Sequence, residues 1–446
     1  MSRPGIGSEE LERWTVEARQ RSLELVADLD DDQLMGPHLD VINPLLWEIG
    51  HAAWFQELWV LRDHLGRDPI RADADELWDS IEIPHDDRWD LPLPDRDETV
   101  DYMRRVRDRV VEVLRERGQG DGELRYRARY AVHHEDMHTE AYTYTRQTLS
   151  YPPPALSFVP EDGGAAPGGG PLDGDVEVPG GAFRLGAGRD DGFVFDNEKW
   201  AHEVELEPFR ISRAPVTEGE YAAFVDAGGY DRRELWSDEG WAWRREADAD
   251  APAYWRRRGG EWRVRRFDRH RPLRPHRPMI HVNWHEARAW CRWAGRRLPT
   301  EAEWEAAAAA EPDGSGGLAA EKRSYPWGEE PPGPRRVNMD WRRMGTVEVG
   351  ALPEGDSAFG CRQMLGNSWE WTADTFGPYP GFERDMYEEY SEPWFGTRKV
   401  LRGGAWASRS RMLRNTFRSY YTPDRRDVWA GFRTCEAAGA RGGGAE

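Results

Sequence analysis

Three histidines carry the chemistry this sequence most plainly offers. His134 and His138 stand four apart in Ala131-Val132-His133-His134-Glu135-Asp136-Met137-His138-Thr139-Glu140, with helix-forming residues on both sides. Residues four apart share one helix face about one turn apart, close enough to hold a single metal ion. His51 lies in a second helical stretch, Leu45 to Phe55. Three neutral imidazoles from two helices leave open positions on a transition metal, as an oxygen-using or hydrolytic site requires. The letters His134-Glu135-Asp136-Met137-His138 also satisfy H-E-x-x-H, in which the Glu is the general base of a zinc protease. A plainer alternative is a set of surface histidines on an acidic helix.

Two helices that bring these side chains together need a bundle around them. Residues 8 to 150 read as mostly helical: apolar residues recur at helical spacing at Leu11, Trp14, Ala18, Leu25 and Leu29, and again through 45–61, 100–114 and 124–149. Four such helices predict a bundle whose core suits a metal held by facing helices. Asp40 to Pro44 and Asp90 to Pro94 supply turn and cap residues between them. Tyr151-Pro152-Pro153-Pro154 ends this region (1–154), and the Gly- and Pro-rich stretch 155–175 reads as a linker. Residues 176–436 are rich in Gly, Trp and Arg, with short β-like runs and helices expected at 217–226, 286–293 and 300–309. The tail, 437–446, is expected to be disordered. The fold class is therefore multidomain, an α bundle followed by an irregular α+β domain.

Composition narrows the function. The chain has 446 residues, 38% of them hydrophobic and 12% aromatic, as a folded globular protein requires. A net charge of −21 disfavours binding to nucleic acid phosphates or anionic lipid. No apolar run is long enough to cross a bilayer, and Met1 to Gly5 lack the features of a secretory signal, so a cytoplasmic location is expected. Cys291, Cys361 and Cys435 are odd in number and far apart, which predicts buried thiols in a reducing compartment. Lysine occurs only at 199, 322 and 399 among 61 basic residues. That bias fits a GC-rich genome, and the acidic surface suits a salt-rich cytoplasm; neither bears on the chemistry.

Six sequence blocks carry a resemblance. They are Ala214 to Tyr221, Val282 to Ala287, Arg297 to Glu305, Gly366 to Thr372, Arg402-Gly403-Gly404-Ala405-Trp406 and Gly431-Phe432-Arg433. In this order they resemble the formylglycine-generating-enzyme family, with its C-type-lectin-like core. Taken singly, each block also reads as Trp and Gly packing in a loop-rich fold. The oxidase of that family uses a pair of cysteines after the fifth block; here no cysteine follows Trp406 until Cys435, so sulfatase activation is not expected. The N-terminal half resembles the DinB-like metal-binding bundle, and the two halves together resemble the ergothioneine-type sulfoxide synthases.

That resemblance implies a mononuclear Fe(II) on His51, His134 and His138. With O2 as cosubstrate, it joins a thiol sulfur to imidazole C2 of hercynine (trimethylhistidine) and leaves the sulfur as a sulfoxide. Glu135 is then a helix-surface residue or a support for a metal ligand, not a general base. Tyr379, in Phe376 to Phe382, resembles the active-site tyrosine of these enzymes; a phenol can give a proton to bound oxygen. The alternative is a loop tyrosine packed between prolines. A quaternary ammonium is recognised by aromatic faces, and Trp406, Tyr420 and Tyr421 are candidates. Ser419-Tyr420-Tyr421 stands where the family's best-known type has Asn-Trp-Asp, so a carboxylate contact is lost. Met137 stands where that type has a hercynine-contacting glutamine. Arg88 is a candidate clamp for a donor carboxylate or one half of a structural salt bridge. These departures leave the donor open among γ-glutamylcysteine, free cysteine and something else. Val41 to Glu48 and Phe55 to Glu57 also resemble selenoneine synthases, which couple hercynine to a selenosugar. A reading of another class is a non-catalytic, lectin-like binding module. Structural Ca2+ in the C-terminal loops is a further candidate cofactor.

Overall fold

The computed structural model describes residues 6–157 and 168–437. The chain divides into two compact units, Met1–Phe158 and Val159–Glu446. The expected tail, apart from Ala437, lies outside the described residues, as does the middle of the expected linker.

Four long helices build the first unit: α1 (Ser8–Val26), α2 (Leu45–Gln56), α3 (Arg96–Arg117) and α4 (Gly122–Thr148). Asp95 and Asp121 start α3 and α4 by accepting the Glu98 and Leu124 amides at 2.9 Å, which satisfies orphan donors of the first turn. Of the twelve residues of α2, all but Leu46 are buried. A helix apolar on all sides has to sit inside the others. Its chain then widens into a π-helical segment, Glu57–Asp63. Gly50 allows a close approach, because a Cβ there would meet Trp78 Nε1 at 2.2 Å.

The second unit is built from short elements. Strands β1 (Asp175–Val178), β2 (Gly181–Leu185), β3 (His202–Leu206) and β4 (Phe209–Ser212) open it, followed by the meander β5 (Trp255–Arg258), β6 (Glu261–Arg266) and β7 (Arg269–Pro272). Later come β8 (Arg296–Arg297), β9 (Trp369–Thr375), β10 (Lys399–Arg402), β11 (Arg418–Tyr421), β12 (Ala430–Gly431) and β13 (Cys435–Glu436). They form sheets in the orders β1-β4-β13-β8, β11-β10-β9-β12, β2-β3 and β5-β6-β7. The helices are α5 (Glu218–Asp226), α6 (Asp238–Glu246), α7 (Trp284–Trp293) and α8 (Glu301–Ala309). Three of them match the expected stretches; α6 was not anticipated.

The six blocks turn out to be bonded to one another. Thr217, Asn283 and Thr300 cap α5, α7 and α8 in reciprocal capping boxes with Glu220, Glu286 and Glu303. Glu301 and Glu305 of the third block pair with Arg402 of the fifth at 2.7 and 2.6 Å. Glu370 of the fourth pairs with Arg433 of the sixth at 2.6 Å and accepts Trp304 Nε1 at 2.7 Å. Gly403 (φ +99°) is glycine because a Cβ would lie 2.6 Å from the Met364 carbonyl. The chain enters this unit already held: the Gly169 and Gly170 amides donate to Glu348 at 3.1 and 2.8 Å, so this part of the expected linker is anchored.

Candidate metal centre

His51, His134 and His138 come together inside the bundle, with one ligand atom from each within 4.8 Å of the others. Their ring centroids are 4.4 to 5.1 Å apart. The Nε2 atoms of His134 and His138 are 3.2 Å apart, the spacing of two nitrogens each about 2.1 Å from a shared ion.

Two of the rings are fixed from behind. His51 Nδ1 lies 2.9 Å from the Trp78 carbonyl, which only accepts, so Nδ1 carries the proton and Nε2 keeps its lone pair. His138 Nδ1 bonds Glu48, a carboxylate–histidine pair of the kind that orients metal ligands. Glu48 in turn accepts from Asn43. Trp47 stacks on His51 at 4.7 Å and 7°, and Phe55 stacks on His134 at 3.7 Å and 9°.

Burial, and then the charge of His138, drives His51 down to about 3. Burial, with the His138 and His51 charges, drives His134 well below the usual histidine range. Burial alone would raise Glu48, but the charge and hydrogen bond of His138 outweigh it and lower the carboxyl to about 2. The centre is thus two imidazoles kept neutral and a third backed by an anion, a donor set fit for a divalent first-row metal.

Glu135 settles the competing motif. It is not on the helix surface: it is fully buried, paired with Arg19 at 2.9 Å and accepting Ser22 Oγ at 2.7 Å. A carboxylate held this way is not available as a general base, so the H-E-x-x-H match is a coincidence of letters.

The DinB superfamily matches residues 15–141, and the sulfatase-modifying factor enzyme 1-like domain matches residues 164–438. A hercynine oxygenase of Mycolicibacterium smegmatis is 37% identical, over 93% of this chain and 96% of its own. One from Mycobacterium tuberculosis is 38% identical, over 95% and 98%. The chain belongs to the hercynine oxygenase family. A formylglycine-generating enzyme of Streptomyces coelicolor is 36% identical but covers only 61% of this chain. The three cysteines of this chain are free and buried. Burial raises their thiols, that of Cys361 to about 11.

The other residues marked in the sequence fall into three groups. Arg88 lies in the bundle, its guanidinium 4.1 Å over the Trp47 ring and donating to Asn43 Oδ1 at 2.7 Å. Its charge helps to lower His51. Met137 is half-buried on α4, one residue before His138. In the second unit, Tyr379 and Tyr420 are gathered around one arginine and one phenylalanine. Arg418 lies 4.0 Å over the Tyr379 ring and 5.0 Å over Phe376, and Phe376 stacks on Tyr420 at 4.1 Å. Tyr379 is a buried loop residue whose hydroxyl has no hydrogen-bond partner among the described residues. Burial pushes its phenol well above the ordinary 10, against the pull of Arg418. Ser419, Tyr420 and Tyr421 are half-buried on β11. Trp406 is 1% exposed and edge-on to Trp429 at 4.8 Å.

Sequence reasoning missed Glu48, Asn43, Trp47, Phe55 and Trp78 as supports of the centre. Glu48 had a signal: it is the one charged residue in the apolar run from Leu45 to Phe55, three residues before His51. Trp78 had none, because its carbonyl makes the contact. For the calcium expectation, Asn367 donates to Gln363 and accepts from Asn338 at 2.9 Å, so these loop amides bond one another.

Proposed function

We propose that this chain is an Fe(II)- and O2-dependent sulfoxide synthase that joins a thiol sulfur to imidazole C2 of hercynine, with cysteine or γ-glutamylcysteine as donor. The observation that carries the reading is the three-imidazole cluster, with its outward-facing nitrogens fixed by Glu48 and the Trp78 carbonyl. Similarity to hercynine oxygenases across both units supports it. Iron(II) on His51, His134 and His138 would bind and activate O2, and O2 itself supplies the oxidising equivalents for the C–S bond and the sulfoxide.

The chain's own residues do the rest. Glu48 and the Trp78 carbonyl hold two rings in the ligand tautomer. Trp47 keeps the His51 ring from turning, and Phe55 keeps the His134 ring from turning. Tyr379 is assigned as the proton donor: its phenol stays protonated and its hydroxyl is not spent on a protein partner. Tyr420, Tyr421 and Trp406 are the aromatic candidates for the trimethylammonium, Met137 and Ser419 are candidate substrate contacts, and Arg88 is the candidate clamp for a donor carboxylate. A lectin-like binder that had lost its chemistry would have no use for a fixed three-imidazole site.

One observation favours a second reading, a selenosugar donor. Residues 419–421 of β11 offer three hydroxyl side chains and no carboxylate, which suits a sugar better than an amino acid. The test is one mixture of the Fe(II)-loaded protein, air, hercynine and equal concentrations of cysteine, γ-glutamylcysteine and selenosugar, followed by mass spectrometry. A hercynine–cysteinyl sulfoxide mass is expected and identifies the thiol. A hercynine–selenium adduct replaces the donor, and unchanged hercynine with iron bound overturns the function.

A further inference from the structure

A second group of ligand-type side chains lies on the bundle outside the triad. His38, His85 and Asp86 place one donor atom each within 4.8 Å of the others. His85 Nε2 lies 2.7 Å from the Ile42 carbonyl. A carbonyl only accepts, so that nitrogen carries a proton and, in the neutral ring, Nδ1 presents a lone pair. Nδ1 sits 3.1 Å from Asp86 Oδ1, and His38 Nε2 reaches the same oxygen at 3.3 Å. A lone pair held against a carboxylate oxygen is repelled, and a cation between them reverses the sign. A proton on His85 Nδ1 relieves that contact alone; a metal ion would satisfy His38, His85 and Asp86 together.

The group is also held in place. Trp89 packs edge-on against His38 at 4.5 Å and His85 at 5.3 Å, and donates Nε1 to the Gly36 carbonyl at 3.3 Å. A far ring nitrogen donating to a backbone carbonyl is the usual way a metal-binding histidine is oriented. His51 in the triad is held by the same device, through Trp78.

We propose that His38, His85 and Asp86 form a second transition-metal site, for a borderline divalent ion of the Zn2+ or Ni2+ class. Two imidazoles and one carboxylate suit such an ion, whereas a hard cation such as Ca2+ takes oxygen ligands. The His38 and Asp86 side chains are 48% and 75% exposed, so an ion enters from solution and water fills the remaining positions. The ion pins the turn His85–Trp89, which carries Arg88. Arg88 donates to Asn43, Asn43 to Glu48, and Glu48 backs His138. The outer site is thereby joined to the support of the inner one, whatever reaction the triad performs.

Calorimetric titration of the metal-free full chain with Zn2+ tests this. The parent is expected to bind two ions. His38→Ala with Asp86→Asn should bind one, and His51→Ala with His138→Ala should also bind one, each with unchanged circular dichroism. His85 is left in place because its Ile42 contact holds the turn. In the His51/His138 background, adding His38→Ala should weaken the remaining site about tenfold or more. Two ions retained by the His38/Asp86 variant, or none bound by the His51/His138 variant, would overturn the site.

Discussion

Arg433 and Glu370 of the second unit are 0% and 1% exposed, and His138 and Glu48 of the bundle are 19% and 7% exposed. Both pair a basic side chain with a carboxylate, the first fully buried and the second part-buried, yet they are built differently. Glu370 meets Arg433 and Trp304, and Arg433 also donates to the Ser212 and Arg362 carbonyls at 3.1 and 3.0 Å, so the pair is saturated. His138 is satisfied on one nitrogen alone, and the other faces a second imidazole at 3.2 Å. The saturated pair leaves no group over for a ligand, whereas the second nitrogen of His138 faces only another ring nitrogen, that of His134.

Glu370→Ala breaks the saturated side. It leaves Arg433 without its charge partner and Trp304 Nε1 without its acceptor. The expected cost is about 3–5 kcal/mol, read as a fall in the denaturant midpoint. Glu48→Gln breaks the other side. Iron affinity should fall about 10- to 100-fold, measured by competition with a chelator, with little change in the unfolding midpoint. Equal loss of stability in both variants would erase the distinction.

Gly50→Ala lies between the two. Its Cβ would meet the Trp78 indole at 2.2 Å and displace the carbonyl that holds His51 Nδ1. A cost of about 1–3 kcal/mol is expected from the overpacking, together with weakened metal binding. The smallest effect concerns Asp196, whose carboxyl burial raises to about 6, with the Asp385 charge acting in the same direction. A carboxyl raised in the folded state favours folding below its unfolded value, and that contribution is lost as pH rises through about 6. Asp196→Asn should therefore raise stability at pH 7 by about 1 kcal/mol and flatten the profile between pH 4 and pH 6.

The same contrast explains what the sequence disclosed. The four bundle helices and three of the helices in the second unit were legible because apolar spacing and capping residues are local signals. Helix α6 was not, because Asp238 to Glu246 buries only Gly240 and carries no apolar stripe. The π segment after Gln56 was also hidden, since a change of hydrogen-bond register leaves no mark on composition. His51, His134 and His138 were found by type and spacing. Glu48 was visible as an acid in an apolar helix, but its partner is 90 residues away. Glu135 shows the converse: a motif match of five letters placed it at the chemistry, and Arg19, on another helix, holds it elsewhere.

The central claim is that these three imidazoles hold the iron on which the reaction depends. Anaerobic reconstitution with Fe(II), desalting and elemental analysis test it directly in the parent chain and in His134→Ala. The account predicts one iron fewer in the variant than in the parent chain, with no hercynine consumed by the variant in air. A His134→Ala chain that keeps the parent's full iron content and still forms product would contradict it.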